Sequence, residues 1–170
     1  MLVSVKAQYS VLMSVYHKER AEYLKQSIES IQNQTIPTND FVLVCDGALT
    51  PELDAVIASK QQEMGNILNV VRLAKNGGLG NALNEGIKHC KNELVARMDS
   101  DDISAADRCE KQVKLFEKNP ELDIASGALL EFVTSPNQIT GGRKVPCSND
   151  DIVGLSLIHI SEPTRRVVIS

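Results

Sequence analysis

Short apolar runs alternate along most of this chain with segments whose apolar residues recur three or four positions apart. Tyr9 to Val15 is such a run, and from Glu19 to Gln32 the positions Ala21, Leu24, Ile28 and Ile31 repeat at helical spacing. The pattern predicts a strand followed by an amphipathic helix. NQTIPTND, residues 33–40, has turn chemistry and leads into a second apolar run at Phe41 to Cys45. Pro51 suits the first turn of a helix, with Leu53, Val56 and Ile57 as its buried stripe and Met64-Gly65-Asn66 as its end. A strand near Leu68 to Leu73, a glycine-rich turn at Asn76 to Gly80, and a helix over Ala82 to Cys90 with Leu83 and Ile87 inward come next. Glu93 to Met98 then reads as a strand. Strands alternating with helices of this length predict a parallel sheet, because each parallel connection needs a crossover that packs on a face. The expected class is therefore α/β, a mostly parallel sheet flanked by helices.

Beyond Met98 the pattern predicts a helix over Ala105 to Lys118, with Val113, Leu115 and Phe116 available for burial, then a strand pair at Asp123 to Gly127 and Ala128 to Thr134. In open α/β sheets ligands sit beyond the carboxyl ends of the strands, which directs attention to the loops after Val15, Cys45, Leu73 and Met98. The last of these reads Asp99-Ser100-Asp101-Asp102. Three carboxylates so close repel one another unless a cation or hydrogen-bond donors offset them. One reading is a divalent metal: hard oxygen ligands select Mg²⁺ or Mn²⁺, which bind through one or two carboxylates plus substrate phosphates. The other is a capped helix start, where acids are favoured by the helix dipole. Asn76-Gly77-Gly78-Leu79-Gly80-Asn81 opens a helix and either brings backbone N–H groups toward an anion or simply permits positive φ before the helix. It lacks both the GxGxxG spacing and a Walker lysine. His17 and His89 have no partner spacing for a metal or a triad and are assigned no catalytic role.

Charge and cysteine content narrow the class further. The 18 basic residues are scattered in a chain of net charge −4, never more than two together, with no stripe to neutralise a row of phosphates, so nucleic acid is not an expected partner. Cys45, Cys90, Cys109 and Cys147 lie far apart without a CxxC pair, which argues against a zinc knuckle or disulfide framework and suits a reducing cytosol. No window approaches the roughly 18 to 20 apolar residues of a membrane span, and MLVSVKAQYS lacks the apolar run of a signal peptide. A cytoplasmic setting is expected.

Five segments in order, SVLMSVYHKE, SIESIQNQT, VLVCDG, RLAKNGGLGNALNEG and ARMDSDDI, together resemble family 2 glycosyltransferases of the GT-A fold. VLVCDGALTPEL further resembles the enzymes of bacterial capsule, exopolysaccharide and lipopolysaccharide synthesis, the amylovoran type among them. The resemblance covers roughly Tyr9 to Gly154. It implies a nucleotide-diphosphate sugar donor, a UDP-sugar in first place, and a saccharide or lipid-linked saccharide acceptor at the inner face of the bacterial membrane. It further implies that Ser14, Val15, Tyr16 and Glu19 line the base and ribose pocket and that Asp46 contacts the base. Cys45 stands where many relatives carry a further acid. Asn76, Gly77, Gly80 and Asn84 would lie along the nucleotide-sugar, with Ser100 in the same site and Arg97 at the diphosphate. Asp99 and Asp101 match the DXD motif, with Asp99 near ribose or sugar, Asp101 at Mg²⁺ or Mn²⁺, and Asp102 as the alternative ligand.

The resemblance also implies inverting displacement with a carboxylate base supplied from well beyond the DXD loop, so this chain is expected to bind donor but transfer little. LSLIHISEPTR, residues 155–165, does not resemble the family's continuation; it is similar to a translated adaptor of transposon-based sequencing libraries. Residues 1–154 are therefore expected to form the nucleotide-sugar-binding domain, incomplete at its carboxyl end, and 155–170 a non-native tail. The bland alternative is an ordinary strand and turn with Leu155, Leu157, Ile158 and Ile160 in the core. Two other functional readings are a non-catalytic nucleotide-binding module and, more distantly, a receiver domain, whose acidic pair should follow the first strand rather than the fourth. A nucleotidyltransferase would need a glycine-rich basic signature near the first strand, which is absent.

Overall fold

The computed structural model describes residues 8–133, 138–143 and 167–169. Three strand-helix units open the fold: β1 (Tyr9–Val15) and α1 (Ala21–Gln32), β2 (Asp40–Cys45) and α2 (Pro51–Met64), then β3 (Leu68–Arg72) and α3 (Leu79–Gly86). They are followed by β4 (Leu94–Asp99), α4 (Arg108–Lys118), β5 (Ile124–Ser126), β6 (Leu129–Phe132), β7 (Ile139–Arg143) and β8 (Val167–Ile169). The main sheet has the order β3-β2-β1-β4-β8-β5 and is parallel at every pairing. The expected α/β class and mostly parallel sheet are what the structure shows. β8 lies within the segment expected to be non-native and pairs with both β4 and β5; Cys147 and residues 155–166 lie outside the described residues.

Both sheet faces are covered, which is why the strands read as continuous apolar runs rather than alternating ones. Val11, Met13 and Val15 of β1 point into the larger core with Leu24, Ile28 and Ile31 of α1, Leu53 and Ile57 of α2, and Val113 and Phe116 of α4. Leu12, Val42, Val44 and Val95 face the smaller core under α3. There α3 sits close: a Cβ on Gly86 would stand 2.5 Å from side-chain carbons of both Leu12 and Val44, so only glycine lets this helix approach the sheet.

Several boundaries differ from those expected, for identifiable reasons. The third helix starts at Leu79, because Gly78, at φ +85°, turns the chain directly into it; Ile87–His89 is a 3₁₀ turn and Cys90 lies beyond. The fourth helix starts at Arg108 rather than Ala105, since the carbonyls of Ala105 and Ala106 accept from Gln34 Nε2 at 2.8 Å and from Thr35 N at 2.8 Å. Leu115 is exposed: the buried stripe of α4 is Cys109, Gln112, Val113 and Phe116, and Leu115 falls off it. The expected strand pair is not a pair. Gly127 and Ala128 separate β5, which joins the main sheet, from β6, which pairs antiparallel with β7; Thr134 lies outside the described residues.

At the amino end of the sheet a polar network ties β1 and β2 to the segment before β4. Ser10 Oγ donates to Asp40 Oδ2 at 2.6 Å, Lys91 N donates to the same oxygen at 2.8 Å, and Lys91 Nζ stands 3.4 Å from Oδ1. Asn92 N donates in turn to Ser10 Oγ at 3.0 Å. Asp40 is wholly buried, its Oδ1 without a hydrogen bond among the described residues and faced by the exposed Lys91 ammonium, so the network fixes the strand starts from beneath the surface. Among the described residues no helix is long and apolar enough to cross a membrane.

Candidate functional site

Register brings the carboxyl ends of the central strands to one level. Val15 pairs with Cys45 and Ser14 with Asp99, so the loops after β1, β2 and β4 leave the sheet side by side. Together with the loop after β3 they enclose a cleft of about 410 Å³. Ser14, Tyr16 and Glu19 line it from the first loop and Asp46 from the second. Asn76, Gly78 and Leu79 come from the third, and Asp99, Ser100 and Asp101 from the fourth.

The second and third loops are built as one piece. Asp46 N continues the ladder by donating to Val15 O at 2.8 Å, which turns the nearly buried Asp46 side chain toward the glycine loop. Its carboxylate accepts from Gly77 N at 2.8 Å on Oδ1 and from Gly78 N at 2.9 Å on Oδ2, while Asn76 Nδ2 donates to its carbonyl at 3.3 Å. Gly47, at φ +84°, lets the loop close down, since a Cβ there would meet Asn76 N at 2.6 Å. Asp46 thus sits at the cleft wall as the holder of the glycine loop.

The first and fourth loops are joined through α1. Ser100 Oγ donates to Glu19 Oε2 at 3.1 Å, and Arg20 N donates to Glu19 Oε1 at 2.8 Å. Ser27 Oγ, on α1, donates to Asp99 O at 2.8 Å. Tyr16, beside Glu19, is left exposed with its ring in the cleft, edge-on to His17.

The three aspartates of the fourth loop have three different environments. Asp99 is ion-paired through Oδ1 to Arg97 Nη2, two residues back on the same strand. Asp101 is exposed in the cleft wall. Asp102 turns away into a second, largely apolar cavity of about 310 Å³ beside Arg108, Leu129 and Phe132. Partial burial, and then the like charges of Asp101 and Asp99, hold its carboxyl above the usual aspartate range, against the opposing pull of Arg97 and Arg108.

Among the described residues no three His, Cys, Asp or Glu side chains converge on a common point. Asp102, the alternative ligand, lines the second cavity because the chain turns back, with Asp102 N reaching Asp99 O at 3.5 Å. The exposed Asp101 carboxylate in the cleft wall offers hard oxygens of the kind that fit Mg²⁺ or Mn²⁺, which bind through one or two carboxylates, retain several waters and complete their shell with substrate phosphates.

Of the other expected site residues, Val15 has its side chain in the core and contributes its carbonyl, and Gly77 contributes its N–H to Asp46. Gly80, Asn84 and Arg97 lie outside the cleft wall, and a Cβ at Gly80 would meet nothing within 4 Å. Residues that sequence reasoning missed act one layer behind. Buried Gln34 holds the fourth loop by donating to Ser104 Oγ at 3.1 Å and Ala105 O at 2.8 Å and accepting from Cys109 N at 3.0 Å. Arg108 donates from Nη2 to Arg97 O at 3.2 Å and so pins the end of β4. Gln34 falls within the segment SIESIQNQT, but nothing there sets it apart from the other polar residues that follow the helix.

Comparison with known proteins now identifies the architecture. The Glycosyl transferase family 2 profile matches residues 10–161. An uncharacterized glycosyltransferase of Haemophilus influenzae is 43% identical over 86% of this chain and 54% of its own length. The amylovoran biosynthesis glycosyltransferase AmsE of Erwinia amylovora is 40% identical over 85% of this chain and 53% of its own. A UDP-Gal:alpha-D-GlcNAc-diphosphoundecaprenol beta-1,3-galactosyltransferase of Escherichia coli is 37% identical over 84% and 51%. The chain thus spans about half the length of the curated relatives it matches. Among solved structures, S. aureus TarS superposes with a TM-score of 0.63 at 24% identity, over 82% of this chain and 23% of that one. The Pyrobaculum calidifontis mannosyltransferase PcManGT, in complex with GDP-Man and Mn²⁺, superposes with a TM-score of 0.62 at 20% identity, over 73% and 36%. The sheet and its helices are those of the GT-A fold, and the chain belongs to Glycosyl transferase family 2.

Proposed function

We propose that this chain forms the donor-binding part of an inverting, metal-dependent glycosyltransferase of bacterial surface polysaccharide synthesis. Its donor is a nucleotide-diphosphate sugar, UDP-linked in first place, and its acceptor a saccharide or lipid-linked saccharide at the cytoplasmic face of the membrane. The observation that carries this reading is the convergence of four strand-end loops on one cleft that holds an exposed aromatic ring, a glycine loop and the paired acids of the fourth loop. Similarity to the amylovoran and galactosyltransferase relatives supports the substrate class.

Each group has a task in this reading. The Tyr16 ring offers an apolar face with a polar tip to the base. Asp99 presents its unpaired oxygen to a hydroxyl of ribose or sugar, and Asp101 holds the ion. A bound Mg²⁺ or Mn²⁺ supplies Lewis-acid stabilisation of the negative charge that gathers on the leaving phosphate oxygen. Asp46 keeps the glycine loop against the cleft, and Glu19 with Ser100 keeps the first and fourth loops together, so the donor meets preset groups. Attack by the acceptor needs a carboxylate base on the opposite face of the sugar. This reading assigns that base to a segment beyond residue 154 of the complete protein, and keeps 155–170 as a non-native tail; natural DNA running unbroken through codon 170 would remove that last element.

Calorimetric titration of the folded chain with UDP, GDP, CDP and ADP, each with Mn²⁺ present, tests the donor assignment. UDP is expected to bind most tightly. Failure of all four to bind would overturn the donor-site reading.

A further inference from the structure

Arg97 stands on β4 two residues before Asp99, so both side chains project from the same face of the sheet. Its Nη2 pairs with Asp99 Oδ1, yet only Asp99 reaches the wall of the cleft. The Arg97 side chain is 25% exposed, and its Nε is buried without a hydrogen-bond partner. Behind it Arg108 donates to the Arg97 carbonyl, which holds that part of β4 in place. A guanidinium so placed holds Asp99 while standing outside the cleft lining itself. It occupies one carboxylate oxygen of a residue that lines the cleft and leaves the other without an ion-pair partner among the described residues.

We infer that Arg97 is a positioning residue for the donor, acting through Asp99 rather than by touching the diphosphate; the inference rests on the donor-site reading above. The pair divides the labour of the fourth loop. Asp99, neutralised by Arg97, serves as an oriented acceptor for a ligand hydroxyl. Asp101, in the cleft wall and without an ion-pair partner among the described residues, is the carboxylate left for a cation. Without Arg97 the Asp99 carboxylate is free to rotate about its terminal torsion and stands two residues from Asp101 as an uncompensated like charge.

The two roles for Arg97 predict different ligand dependence. A residue that orients a hydroxyl acceptor matters equally to a nucleoside and to its diphosphate, whereas a diphosphate contact matters only when phosphates are present. Binding of uridine and of UDP to the 170-residue chain, followed by NMR line shape and calorimetry, distinguishes them in the wild type, Arg97→Gln, Arg97→Lys, Asp99→Asn and the Arg97→Gln/Asp99→Asn double variant. Loss of one charge-assisted contact corresponds to roughly tenfold in affinity. Arg97→Gln is expected to weaken both ligands by about that factor, Arg97→Lys to recover part of it, and the double variant to bind no worse than Asp99→Asn alone. A loss confined to UDP, or one that persists undiminished in the Asp99→Asn background, overturns the inference and makes Arg97 a diphosphate contact. Unchanged binding in folded Arg97→Gln overturns it as well. If the wild type binds neither ligand, the donor-site reading itself fails and this inference with it.

Discussion

The two ends of the parallel sheet are both organised around aspartates and treat them in opposite ways. At the amino end Asp40 is wholly buried, and Ser10, the Lys91 amide and the Lys91 ammonium all approach it from within the chain. At the carboxyl end Asp101 lies exposed in a cleft wall, and Asp46 stands between the extremes, nearly buried but with only backbone amides of a loop as donors. A carboxylate approached by its own chain's donors and ammonium is a strut, because most of its demand for positive partners is met on folding, here two hydrogen bonds to Oδ2 and an ammonium 3.4 Å from Oδ1. One whose donors are missing keeps that demand for a ligand.

The comparison predicts that damage to the closed end costs stability and leaves nucleotide binding intact. Asp40→Ala, which strands the buried Ser10 hydroxyl and Lys91 amide, is expected to lose about 3 kcal/mol, or roughly 6–12 °C in Tm, with UDP affinity unchanged where the variant is folded. Thermal melts and calorimetry on the same sample check both halves. A folded variant that no longer binds UDP would break the division between the ends.

Smaller effects sharpen it. Gly47→Ala places a Cβ 2.6 Å from Asn76 N at a left-handed φ, and a loss of about 2 kcal/mol is expected in urea unfolding. Cys45, one residue before the cleft, shows how abruptly the interior ends. Burial pushes its thiol from the usual value near 9 up to about 11, although the Arg72 charge pulls the other way. Between those values the unfolded chain releases a proton that the native state keeps, so stability falls as pH rises from about 9 to 11. The wild type should lose roughly 2 kcal/mol more than Cys45→Ala between pH 8 and pH 11; parallel losses would mean the thiol is hydrated. Asp46→Asn gives up one acceptor for the glycine loop, and about 1 kcal/mol of stability and several-fold in UDP affinity are expected to go together. Loss of affinity alone would make Asp46 purely a ligand contact.

Much of this was legible in the chain, and the exceptions have physical causes. β1 falls on its expected bounds because a strand buried on both faces is an unbroken apolar run, and Gly78 marks the turn into α3 through its positive φ. The cleft follows from strand-end loops plus parallel topology, which apolar periodicity supplies. Long-range hydrogen bonds have no such periodicity. Gln34, whose carbonyl oxygen and amide reach Cys109 and Ala105 some seventy residues away, delays α4 and fixes the acidic loop, yet it looks like any polar turn residue. Asp102 and Asp101 are neighbours of one type in the sequence, and only the backbone turn after β4 sends them to different cavities. β5 and β6 failed as a pair for a similar reason: apolar pattern predicts strands but not which strand they join.

In the proposed reading the open end of the sheet holds a donor whose phosphates are bound through an ion on Asp101. Calorimetric titration of UDP into the chain and its Asp101→Ala variant, with and without Mn²⁺, tests it directly. The account predicts binding by the wild type that strengthens at least tenfold with Mn²⁺, and an Asp101→Ala variant that gains nothing from the ion. Equal strengthening by Mn²⁺ in the variant, or wild-type binding indifferent to the ion, would contradict it.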